Sequence, residues 1–90
     1  MGRVLITLKV MPKSPEVDLQ NLRNEITKTI EHHQGKNPKY EEVPIAFGLK
    51  ALMTSFMLDE NQELESIEKA VEELPDVSST QVTDMRRAVE

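Results

Sequence analysis

Ninety residues, 38% hydrophobic and 30% charged, leave room for one core and not for a second globule, and are too apolar for a disordered acidic tail. Eleven Lys plus Arg against sixteen Asp plus Glu give a net charge of −5, which argues against bulk nucleic-acid binding because the chain repels phosphate backbones. The absence of cysteine excludes disulfides, thiol nucleophiles and Cys-based metal sites, and fits a reducing cytoplasm. No run approaches the ~18 uninterrupted apolar residues of a membrane span, and Met1-Gly2-Arg3-Val4 leads directly into patterned sequence without the apolar stretch of a secretory signal, so residue 1 is the expected start. The acidity belongs to the second half: residues 1–45 are nearly neutral, with seven cations and six anions, whereas residues 46–90 carry four and ten.

Residues 3–10 alternate, with Val4, Ile6, Leu8 and Val10 on one face, and predict a half-buried strand that stops at the prolines of Met11-Pro12-Lys13-Ser14-Pro15. From Asp18, a residue suited to an N-cap, the stripe Leu19, Leu22, Ile26, Ile30 and His33 predicts a helix ending at Gly35. Gly35-Lys36-Asn37-Pro38 reads as a turn. Val43, Ile45 and Phe47 then alternate as a short second strand, with Pro44 marking it as an edge or a bulge. Residues 49–58 predict a central strand, apolar on both faces, with Leu52, Thr54, Phe56 and Leu58 on one side. Asp59-Glu60-Asn61-Gln62 can cap a second helix with the stripe Leu64, Ile67, Val71 and Leu74, ended by Pro75. Residues 77–89 predict a last strand with an irregularity near Thr80 or Gln81. The order strand, helix, strand, strand, helix, strand predicts an α+β, ferredoxin-like fold: a four-stranded antiparallel sheet with both helices on one face, in a single domain spanning residues 1–90.

Little in this pattern supports covalent or metal chemistry. His32 and His33 are adjacent, so on a helix they project about 100° apart and do not share a cation as an i, i+4 pair can. They read instead as a helix end where one ring packs and the other is solvated. Asp59-Glu60-Asn61-Gln62-Glu63 lacks a calcium loop's later ligands, with Leu64 where glycine is required and Ala70 where a bidentate glutamate is required. There is no nucleophile elbow. The sites by which acylphosphatases, metal chaperones and RNA-recognition motifs use this strand order are also missing: no Gly-rich, Arg-bearing cradle after the first strand, no Cys-x-x-Cys, and only Tyr40, Phe47 and Phe56 as aromatics. Interaction surfaces remain. Val43-Pro44-Ile45-Ala46-Phe47-Gly48-Leu49-Lys50 places an aromatic before a glycine between two strands; on composition alone Phe47 is expected to pack into the core. Met85-Arg86-Arg87-Ala88-Val89-Glu90 sets a cationic pair at the end of an acidic half, and on composition alone is a solvated terminus.

At these same residues the chain resembles the translation elongation factor one beta family, in its short archaeal form. Val43-Pro44-Ile45-Ala46-Phe47-Gly48-Leu49-Lys50-Ala51-Leu52 is similar to the family hairpin motif Ile-Pro-Ile-Gly-Phe-Gly-Ile-Lys-Lys-Leu, and Asp59-Glu60-Asn61 to the acidic stretch after it. Ile6-Thr7-Leu8-Lys9-Val10-Met11-Pro12 resembles the first strand and its proline exit, and Ser79-Thr80-Gln81-Val82-Thr83-Asp84-Met85-Arg86-Arg87 the closing segment. The resemblance implies exchange of GDP for GTP on elongation factor one alpha, by binding that GTPase and disturbing its magnesium and phosphate site, with no covalent step, no cofactor and no metal of its own. It implies a partner-binding set: Phe47 as the wedge near the switch region, Lys50 as a supporting contact, and Met85, Arg86 and Arg87 at the carboxy-terminal segment, with Arg87 in the place of a family lysine beside the magnesium and Arg86 as the alternative to it or its companion. Ala88-Val89-Glu90 extend past it, and Glu90 offsets part of its cationic field. A monomer in the cytoplasm, with no direct nucleic-acid or membrane contact, is expected. A small-molecule-binding regulatory domain of the ACT type shares the strand order and is the alternative; a ribosomal protein of the same fold would need an RNA affinity that the charge opposes.

Overall fold

In the computed structural model, which describes residues 2–87, the alternation of the first segment produces β1 (Arg3–Pro12). Its Ile6, Leu8 and Val10 side chains are buried, and it continues two residues past the expected stop because Pro12 still pairs with Val77. After it come α1 (Leu19–His32), β2 (Lys36–Pro44), β3 (Lys50–Asp59), α2 (Leu64–Glu72) and β4 (Val77–Arg87). The strands lie side by side as β2-β3-β1-β4, every pair antiparallel, which is the ferredoxin-like arrangement. One face of the sheet carries the core. Ile6, Leu8, Val10, Leu52, Phe56 and Leu58 meet Leu22, Ile26 and Ile30 of α1 and Ile67 and Val71 of α2.

Both ends of α1 have an identifiable chemical cause. The Asp18 carboxylate accepts from the backbone N–H groups of Gln20 and Asn21, at 3.0 and 3.3 Å. At the other end Gln34, with φ 73°, takes the left-handed position, its N–H donating to Glu31 while Gly35 N–H donates to Ile30. This is the Schellman pattern, one residue earlier than the sequence suggests. Gly35 is required for a different reason: a Cβ there would lie 2.3 Å from Ile30 Cγ2. His33 is half-buried, its Nδ1 2.9 Å from the Thr29 carbonyl, while His32 is exposed, as expected.

Three other boundaries differ from expectation. The predicted turn at Gly35-Lys36-Asn37-Pro38 opens β2, with Lys36 pairing with Met57 and the register slipping by one residue before Lys39 pairs with Ser55. Asn37, at φ 54°, and Pro38 are accommodated there because β2 is an edge strand. Asp59 does not cap α2; its carboxylate accepts from Asn61 N–H at 2.9 Å, and the N-cap Glu63 makes no side-chain cap bond. In β4 the extra residues fall at Ser78 and Thr83, on either side of the predicted Thr80 or Gln81. The last two residues of the predicted strand, 88 and 89, and Glu90, whose charge is expected to offset part of the Arg87 field, lie outside the described residues.

Tyr40 ties β2 to α1. Its hydroxyl shares a hydrogen bond with Thr27 and donates to the Arg23 carbonyl at 3.3 Å, and burial pushes its pKa above the ordinary tyrosine value. Thr54, between Leu52 and Phe56 on the core face of β3, is fully buried with no hydrogen-bond partner for its hydroxyl. A buried hydroxyl without a partner forfeits its hydration for nothing. Thr54→Val is therefore expected to raise the unfolding free energy by about 1 kcal/mol, measured by urea denaturation with an unchanged slope.

Candidate functional site

The β2–β3 hairpin narrows to its limit at the tip. Pro44 pairs with Lys50, Ile45 N–H donates to the Leu49 carbonyl at 2.8 Å, and Leu49 N–H donates to the Ala46 carbonyl at 3.1 Å. Phe47 and Gly48 have φ 59° and 78°, both left-handed as the central pair of a type I′ β-turn from Ala46 to Leu49 requires, with Ala46 an extra residue beside Ile45 opposite Leu49. Such turns favour Asn-Gly because both central residues are left-handed, a conformation that costs a bulky residue about 1–2 kcal/mol. Phe47 holds it while 94% exposed. The composition-based expectation of a core phenylalanine is thus overturned: the turn directs that side chain outward, and Phe56 occupies the core. Val43 and Ile45, also exposed, extend the apolar surface down β2.

The tip leans over the loop that leaves β1. A cleft beneath it is lined by Pro12, Ser14, Pro15, Val17, Leu19, Gly48 and Lys50. Lys50 Nζ lies 3.8 Å from Glu42 Oε1, and the other oxygen of that carboxylate accepts from Arg23 at 2.7 Å. Lys50 is therefore tethered loosely beside the tip, with its charge in solvent.

The carboxy-terminal candidates lie elsewhere. Past the bulge at Thr83, Asp84 pairs with Thr7, Met85 with Ile6, Arg86 with Leu5 and Arg87 with Val4. An extra residue in a strand exchanges the faces of all that follow. Val82 packs on the core, so an unbroken alternation would send Arg86 to the helix side; with the bulge, Arg87 goes there and Arg86 joins Asp84 on the open face. Arg86 Nε is 2.8 Å from Asp84 Oδ2, and Arg87 Nη2 donates to Glu60 Oε2 at 2.7 Å. Met85 is exposed despite facing the helix side, because it stands on the outer strand.

The five candidates form two groups rather than one. Phe47 and Lys50 mark the end of the sheet where β1 finishes, and Met85, Arg86 and Arg87 the end where it begins. Arg87 is level with Val4 and Lys50 with the Pro12 end, eight residues along β1, or about 26 Å at ~3.3 Å per residue. That span suits a molecule whose longest extent is 42 Å. The sequence places Glu60 in a helix cap and does not signal its ion pair with Arg87; that pair follows from the antiparallel pairing of Arg3 with Asp59, which brings the start of β1, the β3 exit and the β4 end together.

The family model for the EF-1 guanine nucleotide exchange domain matches residues 5–88. Among curated proteins, the chain is 44% identical to elongation factor 1-beta of Methanobrevibacter smithii and 42% identical to that of Methanothermobacter thermautotrophicus, in each case over 97% of this chain and 98% of the relative. Among solved structures it is similar to the 30S ribosomal protein S6 of Thermotoga maritima, with a TM-score of 0.65 over 98% of this chain and 89% of that one. At 18% identity that likeness shows the fold alone. Because Phe47 is strained and contributes no core packing, Phe47→Asn should raise stability by about 1 kcal/mol. Thermal and urea unfolding measure it, and a loss of stability would mean that the ring makes a structural contact.

Proposed function

The chain belongs to the EF-1 guanine nucleotide exchange domain family, whose members exchange GDP for GTP on elongation factor one alpha, and we propose that it does so through two contacts made by opposite ends of one sheet. The observation that supports this reading is that an exposed, strained aromatic stands at the hairpin tip beyond Lys50, which is itself about 26 Å along β1 from an exposed cation. One metal site is far smaller than that. The wedge and the cation therefore do not press on the same point, and the expectation that Phe47 also works at the switch region gives way to a division of labour. Family membership does not favour the ACT-type alternative.

In this reading the Arg87 end approaches the magnesium and phosphate site of the GTPase. A guanidinium there competes with the metal for phosphate oxygens, and a metal held less tightly holds its nucleotide less tightly. The Phe47 tip seats on a separate apolar surface of the same GTPase, supplying affinity and leverage, with Lys50 steering beside it. No bond is made or broken. The work is linkage: whatever free energy the factor takes from GDP binding, GDP takes from factor binding, about 1.4 kcal/mol for each tenfold. Both ends belong to one chain, so a monomer suffices, acting in the cytoplasm on the GTPase and without direct contact to nucleic acid.

Release of a fluorescent GDP analogue from the GTPase tests the division. Arg87→Ala should slow release at saturating factor and millimolar magnesium by roughly tenfold, and the defect should shrink when magnesium is chelated, because the metal is then already gone. Phe47→Ala should instead raise the factor concentration needed for half-maximal release by roughly tenfold, with or without chelator. If both variants respond to chelation alike, the two ends do not divide the work.

A further inference from the structure

Among the described residues, the carboxylate paired with Arg87 is itself held in place. Glu60 N–H donates to the Gly2 carbonyl at 3.1 Å, anchoring its backbone to the start of β1, and its carboxylate is aimed at Arg87 Nη2 at 2.7 Å. Gly2 makes room for it: a Cβ at that position would lie 2.5 Å from Glu60 Oε2. Three segments far apart in the chain, the residue before β1, the exit of β3 and the last described residue of β4, thus converge on one carboxylate.

We infer that Glu60 is a positioning residue for exchange, holding the Arg87 guanidinium in a presented orientation through one nitrogen while its other donors face the GTPase. This rests on the reading of Arg87 given above. The Arg87 side chain is 78% exposed and would otherwise sample many rotamers, so orientation has to be supplied by a contact. Guanidinium is suited to the task because it carries five N–H donors in a rigid fork, and a carboxylate accepting at Nη2 leaves the remaining donors free. A lysine ammonium has three donors on one freely rotating nitrogen, so a carboxylate bonded to one of them fixes the direction of the others less well. The arginine and its acidic partner therefore act as a unit in this chain. The Thr83 bulge belongs to the same device, since it is what turns Arg87 rather than Arg86 toward Glu60.

The test is a double-mutant cycle read by GDP release. Glu60→Ala should lower the rate at saturating factor by about two- to five-fold, the range a surface ion pair can contribute, while leaving the half-saturating concentration unchanged. The same substitution should have no further effect in an Arg87→Ala background. Gly2→Ala, which pushes the carboxylate aside without altering either charge, should reproduce part of the loss. Restricted rotation of the Arg87 guanidinium in side-chain nitrogen NMR, lost in Glu60→Ala, reports the contact independently of exchange. If Glu60→Ala exchanges at or above the wild-type rate while Arg87→Ala is slow, the positioning role is wrong and the cation acts without it. If Arg87→Ala itself exchanges at the wild-type rate, the reading of Arg87 fails, and the positioning role with it.

Discussion

Every other part of the molecule is located by the pairing of β1 along both of its edges. Eight of its residues pair with β3 on one side and nine with β4 on the other, so its backbone polar groups are satisfied within the sheet and its register admits little slippage. Its core-facing side chains then dictate where α1 and α2 settle. The strand is also the ruler of the molecule: its length is what separates the tip of the β2–β3 hairpin from the end of β4, and with them the two groups of candidate residues.

The two ends rely on different physics. At the hairpin tip the chain stores backbone strain to hold a bare aromatic ring in water, a cost with no return inside the fold and the kind of expense found where a side chain is kept ready for a partner. At the other end the groups are charged, solvated and paired, Arg86 with Asp84 and Arg87 with Glu60. Interactions of that second kind are screened by salt and contribute little to the stability of the fold. One end thus presents a strained, exposed apolar side chain, and the other a guanidinium paired with a carboxylate.

The legibility of these features in the sequence follows from how local their causes are. Asp18 announces α1 because a cap is a matter of three residues, and the alternation of β1 and β3 announces the sheet because burial of one face imposes period two. The start of β2 is hidden, since Asn37 and Pro38 carry turn chemistry and only the neighbouring strand makes an extended edge of them. Phe47 is hidden for a related reason: hydrophobicity says core, and only the hydrogen bonds of Ile45 and Leu49 reveal a two-residue turn that points the ring away. The face on which Arg87 lies depends on a single extra residue at Thr83, for which composition offers no signal. Family resemblance supplied the candidate residues, and topology their grouping at two ends.

An antiparallel sheet with one open face and two free edges is a template on which further strands can be laid, from another copy of the chain or from an unfolding neighbour. The edges here are poor templates. Pro38 and Pro44 remove donors from the outer strand β2, and the register slip beside Pro38 bends what is left of its ladder. On the opposite side, the extra residues Ser78 and Thr83 break β4 twice within eleven residues. The same irregularities that obscure β2 and reorient the arginines therefore guard the chain against fibril growth, which matters for a protein this small that must expose Val43, Ile45 and Phe47 beside one of those edges.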